Sequence, residues 1–172
     1  DNIHSIYVDQ WDWEQVIEKS ERTDEVLENR VKSVYDALRL TEKYVSNRYG
    51  YVDCFLPESI TFITSQELLD MYPDKDVKER EYAFAKEKGA IFIKQIGDKL
   101  SNGKKHDGRA PDYDDWELNG DILVYYPILD IALELSSMGI RVDEASLVSQ
   151  LEKAGCMDRL ELPFQKSIME CK

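Results

Sequence analysis

Two carboxylates, Asp121 and Glu134, lie in runs that otherwise favour burial. Ile122, Leu123, Val124, Tyr125 and Tyr126 form a β-branched and aromatic run that reads as a core strand, and Ile131 to Leu135 reads as another, with Glu134 inside it. A charged carboxylate in a buried strand is costly unless something pairs with it. Either a basic side chain neutralises each acid or a bound cation does. Ser136, Ser137 and Gly139 follow, small enough for a ligand to approach the backbone, and Arg141 brings a fixed charge suited to a carboxylate or phosphate. Acid, acid, small residues and Arg aimed at one place suit a metal-bound phosphate. The alternative is two acids at strand ends that are merely solvated.

Two other stretches carry chemistry-bearing residues. Residues 3–14, IHSIYVDQWDWE, read as a strand from Ile3 to about Trp13, with Val8, Gln10 and Asp12 on one face. An amide and an acid beside a small apolar residue make a possible binding floor; an ordinary half-exposed strand is the alternative. Gly97 to Gly120 is a long polar loop between two core strands. Loops of that length inside a domain are usually functional or disordered, and Tyr113 and Trp116 argue for packing. Its Lys99, Lys104, Lys105, His106 and Arg109, followed by Asp112, Asp114 and Asp115, suit a zwitterionic or phosphorylated ligand, or form a solvated charge run. His106 is one of only two histidines, which speaks against a His-based metal site or a Cys-His pair.

Several elements must position these residues. Thr23 caps a helix to about Arg48, with Leu27, Val31, Val34, Tyr35, Leu38 and Val45 on one stripe and Gly50 as its stop. Ile60 to Thr64 reads as a strand, and Ser65 as the cap of a short helix from Gln66 to Tyr72. Asp76 and Glu79 form a capping box for a helix to Lys88, and Ala90 to Ile96 reads as a central strand. Asp143 caps a helix that Gly155 ends, and Asp158 to Glu170 reads as a further helix interrupted near Pro163. Strands that do not alternate cleanly with helices predict an α+β fold, a mainly antiparallel sheet flanked by helices.

The 172 residues suffice for one domain with a core, and the formal net charge of -13 disfavours backbone-driven nucleic-acid binding and anionic membrane surfaces. No apolar run approaches a membrane span and no signal-peptide pattern opens the chain. Cys54, Cys156 and Cys171 show neither zinc spacing nor a disulfide framework, which fits a reducing cytoplasm. Asp1 at one end and a helical pattern running to Lys172 at the other suggest a piece of a longer polypeptide. There is no Gly-rich phosphate loop, GxSxG or HExxH.

The segments HSIYVDQWDWE, SQELLDMYP, RAPDYDDW, NGDILV and ELSSMGIRVD together resemble the ammonia-dependent asparagine synthetases (aspartate–ammonia ligases). That family is similar to the catalytic core of class II aminoacyl-tRNA synthetases, above all those for aspartate and asparagine. The likeness runs over essentially the whole chain, which resembles the middle portion of the family: a single partial catalytic domain, residues 1–172. It implies an ATP-dependent ligase that makes a β-aspartyl adenylate from aspartate and ATP, then asparagine and AMP by attack of ammonia. Aspartate and triphosphate are both anionic, so a divalent cation, Mg²⁺, is implied.

By the same resemblance, Gln10 holds the substrate amino group with Asp12 as the substrate-binding acid beside it, and Val8 stands where the synthetases place an aromatic under the adenine. Asp121 and Glu134 bind Mg²⁺ and ATP, Ser137 and Arg141 form the segment after them, and Asp114 lines the aspartate or ammonia site. The family's phosphate-gripping arginines belong to portions that nothing here matches, so the 172 residues alone are expected to be nearly inactive, and a homodimer is expected of the full-length protein. Two alternatives carry different expectations. A non-catalytic relative would bind aspartate, asparagine or adenylate without turnover. An aminoacyl-tRNA synthetase fragment would charge tRNA, which the acidity speaks against.

Overall fold

The computed structural model describes residues 6–9 and 12–170. Two helical layers enclose a four-stranded sheet in the order β1 (Thr61–Thr64), β2 (Ala90–Lys94), β3 (Asp114–Tyr126), β4 (Ile131–Arg141). Helix α1 (Asp24–Tyr49) covers one face; α2 (Ser65–Met71) and α3 (Val77–Lys88) cover the other. Beyond β4 follow α4 (Glu144–Ala154), a 3₁₀ turn and α5 (Pro163–Glu170), with their own small core around Val142, Leu147 and Leu151.

The sheet corrects one expectation. It is mixed rather than mainly antiparallel: β1 and β2 run parallel, while β3 pairs antiparallel with both β2 and β4. The cause is the connection between β1 and β2, which contains α2 and α3 and returns the chain to the same end of the sheet. β2 is buried on both faces, as its unbroken apolar run predicts. Ala90 and Phe92 meet Leu27, Val31 and Tyr35 of α1, whereas Ile91 and Ile93 meet Leu68, Phe84 and Ala85 of α2 and α3.

The helices start and stop where their end residues dictate. Thr23 accepts from Val26 N–H, and Gly50 closes α1 in the left-handed conformation. Asp76 and Glu79 form the reciprocal box that opens α3, and Asp143 caps α4 through Ser146. For α2 the cap is Thr64, not Ser65, because Glu67 reaches back to Thr64 N–H. The Ser65 hydroxyl instead donates to Gln95 O at 2.6 Å, tying α2 to the end of β2.

The strand expected over Ile3 to Trp13 is a second correction. Residues 3–5, 10 and 11 lie outside the described residues, and residues 6–9, 12 and 13 form no strand; Ile6 and Val8 are exposed. A strand needs a partner for its N–H and C=O groups, and among the described residues none pairs with this segment. A third concerns Gly97 to Gly120. Its last part belongs to β3, which begins at Asp114. The remainder folds over the sheet, with Trp116 buried at its base and donating to Ala110 O.

Candidate active site

Register decides which side chains meet. Along regular strands, residues i and i+2 share a face. Asp121 pairs with Ser137, and both lie on the α3 side of the sheet with Leu123. Uninterrupted alternation would send Glu134 to the opposite face. The register shifts, however, between Ile122 and Leu123: Ile122 faces Ser136 while Leu123 faces Glu134, leaving Leu135 as the extra residue of a β-bulge. That bulge returns Glu134 to the Asp121 face. Bulges commonly re-aim side chains in this way beside functional sites.

A second irregularity acts at the far end. Asn119 pairs with Gly139, but the next pairing is Asp114 with Arg141, so β3 takes up extra residues there. Asp114 thereby reaches the face of Ser137, Gly139 and Arg141. A Cβ on Gly139 would stand 2.7 Å from Asp114 Cγ, so the glycine makes the room that the carboxyl occupies. The space beside Gly139, expected to admit a ligand, is taken by Asp114.

The electrostatics follow. Asp121 is buried, and its counter-ion is Arg109, whose Nη2 donates to Asp121 Oδ1. Burial pushes the Asp121 carboxyl above the usual carboxylate range, against the pull of Arg109 and Ser137. Glu134, more open to solvent, is also raised, by partial desolvation and then by the charge of Asp121, with Lys78 and Arg109 opposing. With Asp121 raised by burial and by Asp107, and Glu134 by burial and by Asp121, the two acids have less positive charge nearby than two full carboxylates need. Among the described residues no three of His, Cys, Asp and Glu gather as a metal cage. Two carboxylates still fit Mg²⁺, which commonly takes one or two protein acids and fills its shell with phosphate oxygens and water.

Behind the pair, Glu81 of α3 is buried between Lys78, at 2.8 Å, and His106, whose Nε2 lies 3.2 Å away without the alignment of a hydrogen bond. Burial raises the Glu81 carboxyl, but His106 and Lys78 outweigh it and hold it below its ordinary range.

Arg141 is occupied on three sides. It pairs with Asp114, reaches Glu14 Oε1 at 2.5 Å and lies 3.6 Å from the centre of the Tyr113 ring. Glu14 is the exposed partner, held below the usual range by Arg141. Asp12, Asp114, Ser137 and Arg141 line one cavity of about 560 Å³ that wraps the outer edge of β4 and extends to α1. Asp121 is joined to it through Ser137. Val8 is exposed and outside its lining, and Gln10 lies outside the described residues.

Sequence reasoning gave Arg109 no specific partner, although its place just before the APDYDDW segment was a signal. It also missed Arg22, which binds Asp143 at 2.6 Å and Asp115 at 2.8 Å and pins the N-terminal segment beside β4. Lys78 and Glu81 sit on a helix assigned only a capping box, and nothing in its pattern singled them out.

A polar sheet face with two acids, two arginines and an adjoining cavity is the candidate site, of a chemistry that suits a small charged ligand. A sequence model of the family described as aspartate-ammonia ligase matches residues 1–172, and the chain belongs to that family. It is 62% identical over 169 residues to an aspartate–ammonia ligase of Ruminiclostridium cellulolyticum, covering 98% of this chain and 50% of that protein. It is 59% identical over 172 residues to that of Clostridium perfringens strain SM101, covering 100% and 51% respectively. For that of Lactobacillus johnsonii the figures are 57% over 173 residues, 100% and 52%. The chain thus spans about half the length of the curated relatives it matches. Among the described residues no helix is long and apolar enough to cross a membrane.

Proposed function

We propose that the protein joins aspartate to ammonia at the expense of ATP, and that this chain carries the acidic half of the active centre. The observation that carries the reading is the Leu135 bulge, which sets Glu134 on the face of Asp121, Ser137 and Arg141. Family membership supports it.

Asp121 and Glu134 would hold Mg²⁺, which when bound draws the phosphate charges together. Arg141, oriented by Asp114, takes an aspartate carboxylate in place of Glu14. Gln10 and Asp12 hold the amino group, and Ser137 joins this pocket to the acid pair. In the first step a β-carboxylate oxygen bonds to the α-phosphorus and pyrophosphate departs with the broken P–O bond. In the second, ammonia attacks the β-carbonyl carbon, the C–O bond to phosphate breaks, AMP leaves and a proton is released. Asp114 would accept it, a role its carboxylate suits. Holding these groups in place supplies most of the acceleration.

A cytoplasmic, homodimeric full-length enzyme belongs to the same reading, as does low turnover by the 172 residues alone. Incubation of the full-length protein with aspartate, ATP and ammonium should yield asparagine and AMP together. Binding of aspartate or adenylate without either product would identify a non-catalytic relative instead, and charging of tRNA would identify a synthetase.

A further inference from the structure

We propose that Arg109 is the resident counter-ion of the acid pair and yields Asp121 to the divalent cation when that ion arrives. The inference rests on the cation site proposed above. Asp121 is 4% exposed, and a carboxylate so buried needs a positive partner at all times. Arg109 supplies it from the irregular segment between β2 and β3. A guanidinium and a metal ion cannot both occupy the same face of one Oδ1, so the two compete.

Arg109 is carried by a loop, its side chain 18% exposed, rather than by a strand or helix of the core. Among the described residues its other polar contacts are Gly108 O at 3.2 Å in its own loop and the exposed Asp107 at 4.0 Å. Gly108, just before it, has open space around its backbone. Ser137 is the cross-strand neighbour of Asp121, so the carboxylate has a fixed polar group beside it besides Arg109. Displaced, Arg109 stays beside the site as a fork-shaped donor suited to phosphate oxygens that come with the ion. The exchange keeps the buried acid neutralised before and after binding.

Mn²⁺, followed by its paramagnetic resonance, tests this directly in the full-length protein without nucleotide. Arg109→Met should bind Mn²⁺ severalfold more tightly than wild type, Arg109→Lys should fall between, and Asp121→Asn should abolish the site. Should Arg109→Met fail to fold, the wild-type protein supplies the second readout: Mg²⁺ should speed hydrogen exchange of the Arg109 Nη2–H that donates to Asp121. Asp121-dependent binding that is unchanged or weaker in Arg109→Met, or Nη2–H exchange that Mg²⁺ leaves alone, overturns the exchange while sparing the cation site. Loss of any Asp121-dependent binding in all variants removes the cation site and the exchange with it.

Discussion

Asp114 occupies the space that a side chain on Gly139 would fill. The Asp114 Cβ and Oδ2 both lie 2.9 Å from where a Gly139 Cβ would stand, and the displaced carboxyl is the one that grips Arg141. Gly139→Ala should therefore act on Arg141 at second hand, by moving its partner. A shift near 1 Å in a positioning group costs on the order of 10- to 100-fold in kcat/KM. The loss should appear largely as a raised KM for aspartate, with circular dichroism unchanged. Wild-type kinetics in Gly139→Ala would show that Asp114 does not need this place.

Glu134 should weaken the fold at neutral pH. Its carboxyl is raised in the folded chain above the ordinary 4.5. For a raised acid, the stabilising contribution is complete below the unfolded value and is lost as pH rises through the folded one. Glu134→Gln removes that loss. The variant should melt at a higher temperature than wild type at pH 7, and the difference should close as pH falls below 4.5. It should also lose asparagine formation, a trade of stability against function at a site that gathers like charges. Equal melting temperatures at pH 7 would mean that Glu134 is ionised without cost.

The elements were largely legible and the site only in part, for one physical reason. Thr23, Asp76, Asp143 and the glycines at 50, 89 and 155 act on their own neighbours, so local chemistry fixed the helix ends. Register is a property of two strands at once. Asp121 and Glu134 were identifiable as acids in apolar runs, but their shared face depends on a bulge at Leu135 that no local signal marks. Asp114 likewise reaches Arg141 only through an irregular pairing. The residues near Val8 failed as a strand because alternation describes a face without supplying a partner for the edge.

Asn119 behaves as a piece of backbone. Fully buried, it accepts from Ile96 N–H at 2.9 Å and donates to Ile96 O at 2.8 Å, completing the sheet where Gln95 turns into positive φ. Asn119→Ala would strand both Ile96 groups away from water. Each buried group left unpaired costs about 1–3 kcal/mol, so a loss of about 2–4 kcal/mol is expected in a urea titration. A loss below about 1 kcal/mol would mean that water replaces the amide.

Tyr35 sets an alkaline limit on the α1 layer. It is buried between α1 and the sheet, and its hydroxyl donates to Pro57 O at 2.8 Å. Burial pushes the phenol from 10.0 up to about 12. A raised acid keeps its stabilising contribution below the unfolded value and loses it as pH climbs through the folded one. Tyr35→Phe should cost about 1 kcal/mol near pH 8 through the missing hydrogen bond. Between pH 10.0 and about 12 the wild type should lose stability faster than the variant, so the gap between them narrows and then reverses. Denaturant titrations at several pH values check this; a gap that stays constant across that window would show that the phenol ionises freely in the folded chain.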